Sequence, residues 1–377
     1  MRTTSRSLPV CRSIIGVALY CAWAATVIAD LNEGPVQAPL FVAGTEGYHS
    51  YRIPAIVSTH SGTLLAFCEG RKGSVKDYGD IDLVLKRSTD KGVTWSDLQV
   101  VRDDGTNSCN NPVPIVDKAS GDIVFVFTKH PGEDSESEIL SGKAPPCTVW
   151  VMRSIDDGKT WSDDVEITNS VSSPEWRWYA TGPGHGIQLQ SGRMIVPANH
   201  SLGPDVSTWY SHVIASDDAG VTWKALGRAG GFCNESSAVS LSGNRLALNM
   251  RSYHKLNRRH VSISEDEGAT WSEPAPDNAL IEPVCQASTL RVDLEGGGPL
   301  HLFSNPASKK RERMTVRISK DDCKTWSKGK VLYKGPSAYS DLVELSDGTI
   351  ACLYERGEVE AYDAIYFAHF KLNWLTR

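Results

Sequence analysis

Five copies of the pattern Ser-x-Asp-x-Gly-x-Thr-Trp constrain this chain more than any other feature. Four are complete, at Ser88–Trp95, Ser154–Trp161, Ser216–Trp223 and Ser264–Trp271, and the fifth, Ser319–Trp326, carries Cys323 where the others have glycine. Successive first serines lie 66, 62, 48 and 55 positions apart, a spacing that suits one four-stranded sheet per repeat. Regular repeats of that size point to an all-β chain folded as a β-propeller.

Each copy has a plain physical task. Aspartate hydrogen-bonds the backbone amides that follow it and glycine takes φ > 0, so the pattern makes a tight turn between strands, which the tryptophan can cover with roughly 200 Å² of largely apolar surface. These boxes are therefore fasteners first, remote from any chemistry. A β-carbon at φ > 0 costs about 1 kcal/mol or more, so the turn at Cys323 is expected to be distorted.

Six short apolar runs, each following a Gly-containing turn signal, read as strands: 63–67, 122–127, 192–196, 245–249, 300–303 and 348–354. Counting these hairpin units gives six blades of four antiparallel strands. Helical periodicity is nearly absent, and the polar segment from Gly132 to Glu138 reads as a solvated loop. No linker divides the remainder, and no appended domain is expected.

The one long apolar run, residues 13–29, follows Arg2, Arg6 and Arg12 with no acid, and Val27-x-Ala29 places small residues before Asp30. It reads as a signal peptide over 1–29, leaving a single catalytic domain over 30–377, with an uncleaved anchor as the alternative. Lys+Arg 39 against Asp+Glu 45 gives a net charge of −6, and removal of three arginines deepens the acidity, which argues against nucleic acid as a partner. An exported chain is expected, periplasmic, extracellular or lysosomal, without stable membrane insertion and monomeric. Seven cysteines remain beyond residue 29, an odd number whose pairing the sequence does not fix. Their spacing suits no zinc site, and no HExxH, P-loop or GxGxxG occurs, so neither metal nor cofactor is expected.

Tyr51-Arg52-Ile53-Pro54, together with the Asp boxes, resembles the Tyr/Phe-Arg-Ile-Pro segment of the sialidase (neuraminidase) family, and the likeness extends over residues 45–370. The resemblance implies a six-bladed propeller and exo-hydrolysis of terminal α-linked sialic acids on glycoproteins, gangliosides or oligosaccharides. Sialic acid carries a carboxylate on its anomeric carbon, which forked guanidinium donors match best. Arg52 and Arg251 resemble two of the family's three clamp arginines. The third falls within Ser304–Arg313, where Arg311 is favoured and Arg313 stays open.

The substrate carboxylate also disfavours an anionic nucleophile, and sialidases use tyrosine instead. Tyr339, in Gly335-Pro336-Ser337-Ala338-Tyr339-Ser340-Asp341, resembles that residue. With an ordinary pKa near 10 it needs a base, for which Glu235 is the family match. Asp77, in the loop before Asp80-Ile81-Asp82, resembles the acid/base, with Asp80 the competitor. By the same resemblance Glu355 would hold the first arginine. Glu69 and Arg71 would line the pocket unless they form only a strand-end ion pair, and Trp176, Trp178 and Tyr179 would meet the acyl group or glycerol tail unless they are core. A transferase on the same scaffold and a non-catalytic glycan-binding propeller are the competing readings.

Overall fold

The computed structural model describes residue 31 and residues 34–294 and 296–377. The apolar segment read as a signal peptide lies outside the described residues. Among those described, strands dominate, and no helix is long and apolar enough to cross a membrane.

The chain pairs locally, strand against next strand. Ser50–Ser58, Leu64–Arg71, Ile81–Ser88 and Gln99–Arg102 form an antiparallel meander. Ser108–Val116, Ile123–His130, Thr148–Ser154 and Val165–Glu166 repeat it, joined to the first by one parallel bridge between Ile81 and Ser108. Met194–Ser201, Trp209–Ser216 and Lys224–Gly231 follow, with the short strands Tyr179–Thr181 and Ile187–Gln188 both lying on the first of them. Cys233–Ser240, Leu246–Ser252, Arg258–Ser264 and Ala275–Ile281 make a separate four-stranded sheet. The last sheet runs from Ser288–Asp293 to Ala364–Phe370, and the strand Val36–Val42 pairs with that final strand, so the two ends of the described chain share one sheet. Each apolar run expected as a strand overlaps one, and all but 300–303 start one or two residues ahead of it.

Ser50–Ser58 and Ser108–Val116 are buried on both faces almost throughout. Alternation is lost there because these first strands pack on the first strands of neighbouring units as well as on their own partners. Polar side chains stitch that contact. The Asp341 carboxylate accepts from Ile56 N at 2.9 Å and Ser288 Oγ at 2.8 Å and lies 2.7 Å from His185 Nδ1, joining four segments of the chain.

The repeated boxes are hydrogen-bonded turns. In the first, Asp90 Oδ1 accepts from Ser88 Oγ and Thr94 N, both at 2.8 Å, Asp90 Oδ2 accepts from Thr94 Oγ1 at 2.5 Å, and Ser88 Oγ accepts from Gly92 N at 2.8 Å. The indoles then fasten neighbouring units, Trp161 against Phe67 and Phe125 at 5.9 and 5.3 Å and Trp95 edge-on to Phe367 at 5.2 Å.

Two expectations are corrected. The fifth turn is not distorted: Cys323 takes φ of 62° with the same set of bonds to Ser319 and Asp321, whose combined strength outweighs a strain of about 1 kcal/mol. Nor is 132–138 a plain solvated loop. Ser135 and Glu138 form a reciprocal capping box that starts a helix at Glu136–Leu140, and buried Ile139 roots it in the core. All seven cysteines in the described residues are free thiols, six of them buried.

Alanine at Gly92 would place a β-carbon 2.3 Å from the Phe367 ring at φ +84°, so Gly92→Ala is expected to lose about 2 kcal/mol or more of stability. Cys323→Ala keeps a β-carbon where one already sits and should lose less than about 1 kcal/mol. Urea unfolding of the two variants checks the contrast.

Candidate functional site

Each of four first strands breaks register near one end, between Arg52 and Ala55, Asn110 and Val113, Cys233 and Ser236, and Ser337 and Ser340. A bulge re-aims the side chains that flank it. Here the turned residues are Arg52, Asn110 and Asn111, Asn234 and Glu235, and Tyr339, and all line one cavity of about 170 Å³. Ile53 and Phe232 hold φ of 62° beside these bulges, an uncommon conformation for bulky side chains. A larger open cleft of about 480 Å³, bordered by Ile115, Leu189 and Leu290, contains none of the residues expected in the site.

Four guanidinium groups and four carboxyls line the cavity, and each guanidinium but that of Arg311 has its own carboxylate. Arg52 donates from Nε to Glu355 Oε1 at 2.8 Å and from Nη2 to Glu355 Oε2 at 3.3 Å. The same carboxylate accepts from the backbone of Ile53 and Tyr339, both at 3.0 Å, so one fully buried acid fixes the first arginine and the tyrosine strand together. Arg71 pairs with Glu69 at 2.6 Å, and Asn111 N donates to Glu69 at 2.9 Å, tying this pair to the neighbouring strand. Arg251 donates to Glu235 at 2.7 Å and to the Tyr339 hydroxyl at 3.1 Å. Arg311 has no carboxylate within 4 Å among the described residues.

The Tyr339 hydroxyl donates to Glu235 Oε1 in a short hydrogen bond, and burial, then the Glu235 charge, push its pKa well up. The phenol is therefore neutral at rest with its proton already directed at a carboxylate. Asp77 lies across the pocket, 2.7 Å from Arg71 and 3.6 Å from Arg52, and keeps 57 % of its side chain exposed at the mouth. The pocket walls oppose its ionisation, but Arg71 and then Arg52 hold it below the usual carboxylate range.

Of the alternatives left open, Arg311 lines the cavity whereas Arg313 is exposed outside it. Asp80 turns away to pair with Lys72 at 2.8 Å. Trp178 lines the cavity, while Trp176 stacks on His200 with ring centroids 3.5 Å apart and Tyr179 is buried core.

Glu136, Asn199, Trp209 and Tyr253 also line the cavity, beyond the residues expected there. Glu136 projects from the capping-box helix, and burial, reinforced by the Asp77 charge, pushes it up to about 7. The capping box at Ser135-x-x-Glu138 was its one legible signal. Asn110 Oδ1, Asn199 Oδ1, Trp209 Nε1, Asn234 Oδ1 and Arg251 Nε are buried without a protein hydrogen-bond partner, which marks the wall as one built for a polar ligand.

The chain has relatives of known sequence and structure. Residues 62–352 match the model of the BNR repeat-like domain. The chain is 33 % identical over 375 residues to a sialidase of Micromonospora viridifaciens, covering 93 % of this chain and 57 % of that protein. It is 30 % identical to an exo-alpha-sialidase of Arthroderma benhamiae over 92 % of this chain and 89 % of that one. Among solved structures, the Hadza microbial sialidase Hz136 superposes with a TM-score of 0.82 at 30 % identity, covering 90 % of this chain and 69 % of that chain. The chain belongs to the sialidase family of BNR-repeat proteins.

Replacing Glu355 by glutamine leaves the buried Arg52 charge without its partner and turns a donor toward two backbone N–H groups. Glu355→Gln is expected to lower unfolding stability by about 3 kcal/mol, measurable as a lower urea midpoint.

Proposed function

We propose that this chain is an exo-α-sialidase, a glycoside hydrolase that removes terminal sialic acids with retained configuration. The observation that carries the reading is the short hydrogen bond from Tyr339 to Glu235 at the foot of a guanidinium cluster. A neutral phenol with a base attached is the nucleophile suited to a substrate whose reacting carbon bears a carboxylate. The architecture is proposed as a six-bladed propeller over residues 30–377, supported by successive four-stranded units whose first strands pack side by side and by the shared sheet of Val36–Val42 and Ala364–Phe370.

In this mechanism Arg52, Arg251 and Arg311 bind the substrate carboxylate through charge-assisted hydrogen bonds, and Glu355 keeps Arg52 oriented. Tyr339 Oη attacks the anomeric carbon, forming a C–O bond while the glycosidic C–O bond breaks. Its proton passes to Glu235, and the leaving oxygen takes a proton from Asp77. Water then attacks the sialyl-tyrosine on the opposite face, giving its proton to Asp77, and Tyr339 recovers its proton from Glu235. Asp77 is ionised at rest because Arg71 and Arg52 attend it. A bound carboxylate takes up part of that positive charge and adds a negative one, raising Asp77 toward the range of a working acid. Glu69 holds Arg71 beside Asp77, and the unpartnered atoms of Asn110, Asn199, Trp209 and Asn234 meet the substrate's polar substituents.

Release of 4-methylumbelliferone from its α-sialoside by the chain beyond residue 29 tests the reading. Tyr339→Phe and Asp77→Ala are expected to lose at least about a thousandfold in kcat, and folded wild-type protein without turnover would remove the hydrolase reading. In proton NMR of fresh product the α-anomer should appear first; a β-anomer would exclude retention, and a 2,7-anhydro product would place the enzyme among intramolecular transferases.

The acidity of Glu136 gives a separate expectation. As pH rises through about 7 this group gains a charge beside Asp77 and Glu235, in a pocket that must receive an anion. Between about pH 6 and 8 wild-type kcat/KM should therefore fall more steeply than that of Glu136→Gln. Superimposable profiles would show that Glu136 does not sense the substrate.

A further inference from the structure

The three clamp arginines differ in what holds them. Arg52 leans on Glu355 and Arg251 on Glu235, whereas Arg311 has no carboxylate within reach among the described residues. Its Nη1 donates instead to the Tyr362 hydroxyl at 2.8 Å, with a longer contact of 3.5 Å from Nη2 to the Val284 carbonyl. The Tyr362 ring also lies against Arg52, whose guanidinium carbon stands 4.4 Å from the ring centroid. One phenol thus faces two cations, through its oxygen to one and its π face to the other.

Tyr362 is itself held firmly. Its turn starts at Gly357, whose N donates to Pro336 O at 3.2 Å and whose carbonyl accepts from the Tyr333 hydroxyl at 2.8 Å. Asp363 Oδ2 accepts from Glu358 N at 2.8 Å, and Asp363 O accepts from Ala43 N at 3.0 Å. A β-carbon at Gly357 would sit 1.8 Å from the Glu360 carbonyl, so the turn closes with no room to spare. Tyr362 does not line the cavity; it packs half-buried on the cluster of Ile53, Cys285, Ala338 and Tyr339.

We propose that Tyr362 is the positioning residue of the carboxylate clamp. It fixes Arg311, the one clamp member without a counter-anion, and keeps it beside Arg52 until a substrate carboxylate arrives to bridge the two. A carboxylate in place of Tyr362 would orient Arg311 as well, but it would also cancel the charge that the substrate must find; a phenol orients without neutralising. The inference rests on the sialidase reading and adds to it a residue outside the cavity.

Steady-state kinetics on 4-methylumbelliferyl α-sialoside, with binding of 2-deoxy-2,3-dehydro-N-acetylneuraminic acid measured by calorimetry, test it on the whole chain. Tyr362→Phe keeps the ring on Arg52 and releases Arg311. It should raise KM and the inhibitor Kd by roughly tenfold while kcat stays within about twofold and the melting temperature is unchanged. Tyr362→Leu should raise both constants further. In an Arg311→Ala background, Tyr362→Phe should add nothing, because its effect passes through that arginine. Unchanged KM and Kd in Tyr362→Phe, a loss confined to kcat, or additive effects with Arg311→Ala would overturn the proposal. Wild-type protein that cleaves no sialoside would instead count against the sialidase reading itself.

Discussion

Several guanidinium groups cannot be gathered in one pocket unless carboxylates stand behind them, and the rest of this structure is arranged around that requirement. Glu355 meets it first. Fully buried, it spends two contacts on Arg52 and two on the backbone of Ile53 and Tyr339, so the charge that balances the first arginine also locks the strand bearing the tyrosine. Glu69 and Glu235 repeat the arrangement for Arg71 and Arg251. Isolated buried charges of this kind would each be prohibitive, and as hydrogen-bonded pairs they leave one group, Arg311, with its charge uncancelled. In the proposed mechanism an incoming carboxylate meets that residual charge.

The scaffold that presents these pairs is assembled from inexpensive local parts. An Asp box satisfies its own backbone and buries its indole on the neighbouring unit, so the turns fasten the sheets without involving the site. Bulges near the other ends of the first strands re-aim residues into the cavity, and the strain of φ > 0 at Ile53 is borne next to the Glu355 contact. Turns at one end fasten the sheets and bulges shape the cavity, which separates the repeated residues from the unrepeated ones.

That separation explains what could be read in the chain beforehand. The boxes and hairpin runs repeat, so strands and the all-β class were legible from spacing alone. Arg52, Glu235, Arg251 and Tyr339 sit in short contexts that resemble those of a known family, and the structure brings them to one cavity. Glu136 is hard to read because a run of acids between Gly132 and Glu138 looks solvated; its capping box and the buried Ile139 turn the segment inward instead. Asn199, Trp209 and Tyr362 carry no local signal at all, since each reaches the site through strands or turns remote in sequence. Intrinsic backbone preference disfavours Cys323 in this turn, and four side-chain hydrogen bonds outweigh it.

The central claim is that a neutral, buried tyrosine, relieved of its proton by Glu235, becomes covalently attached to the sugar. Inactivation with a 2,3-difluorosialic acid, which slows release of such an adduct, followed by peptide mass spectrometry tests it most directly. The C2 fluoride leaves, so a 3-fluorosialyl mass should fall on the peptide containing Tyr339 and be absent from a Tyr339→Phe variant. A label on Glu235 or Asp77, or rapid turnover with no adduct at any dose, would contradict it.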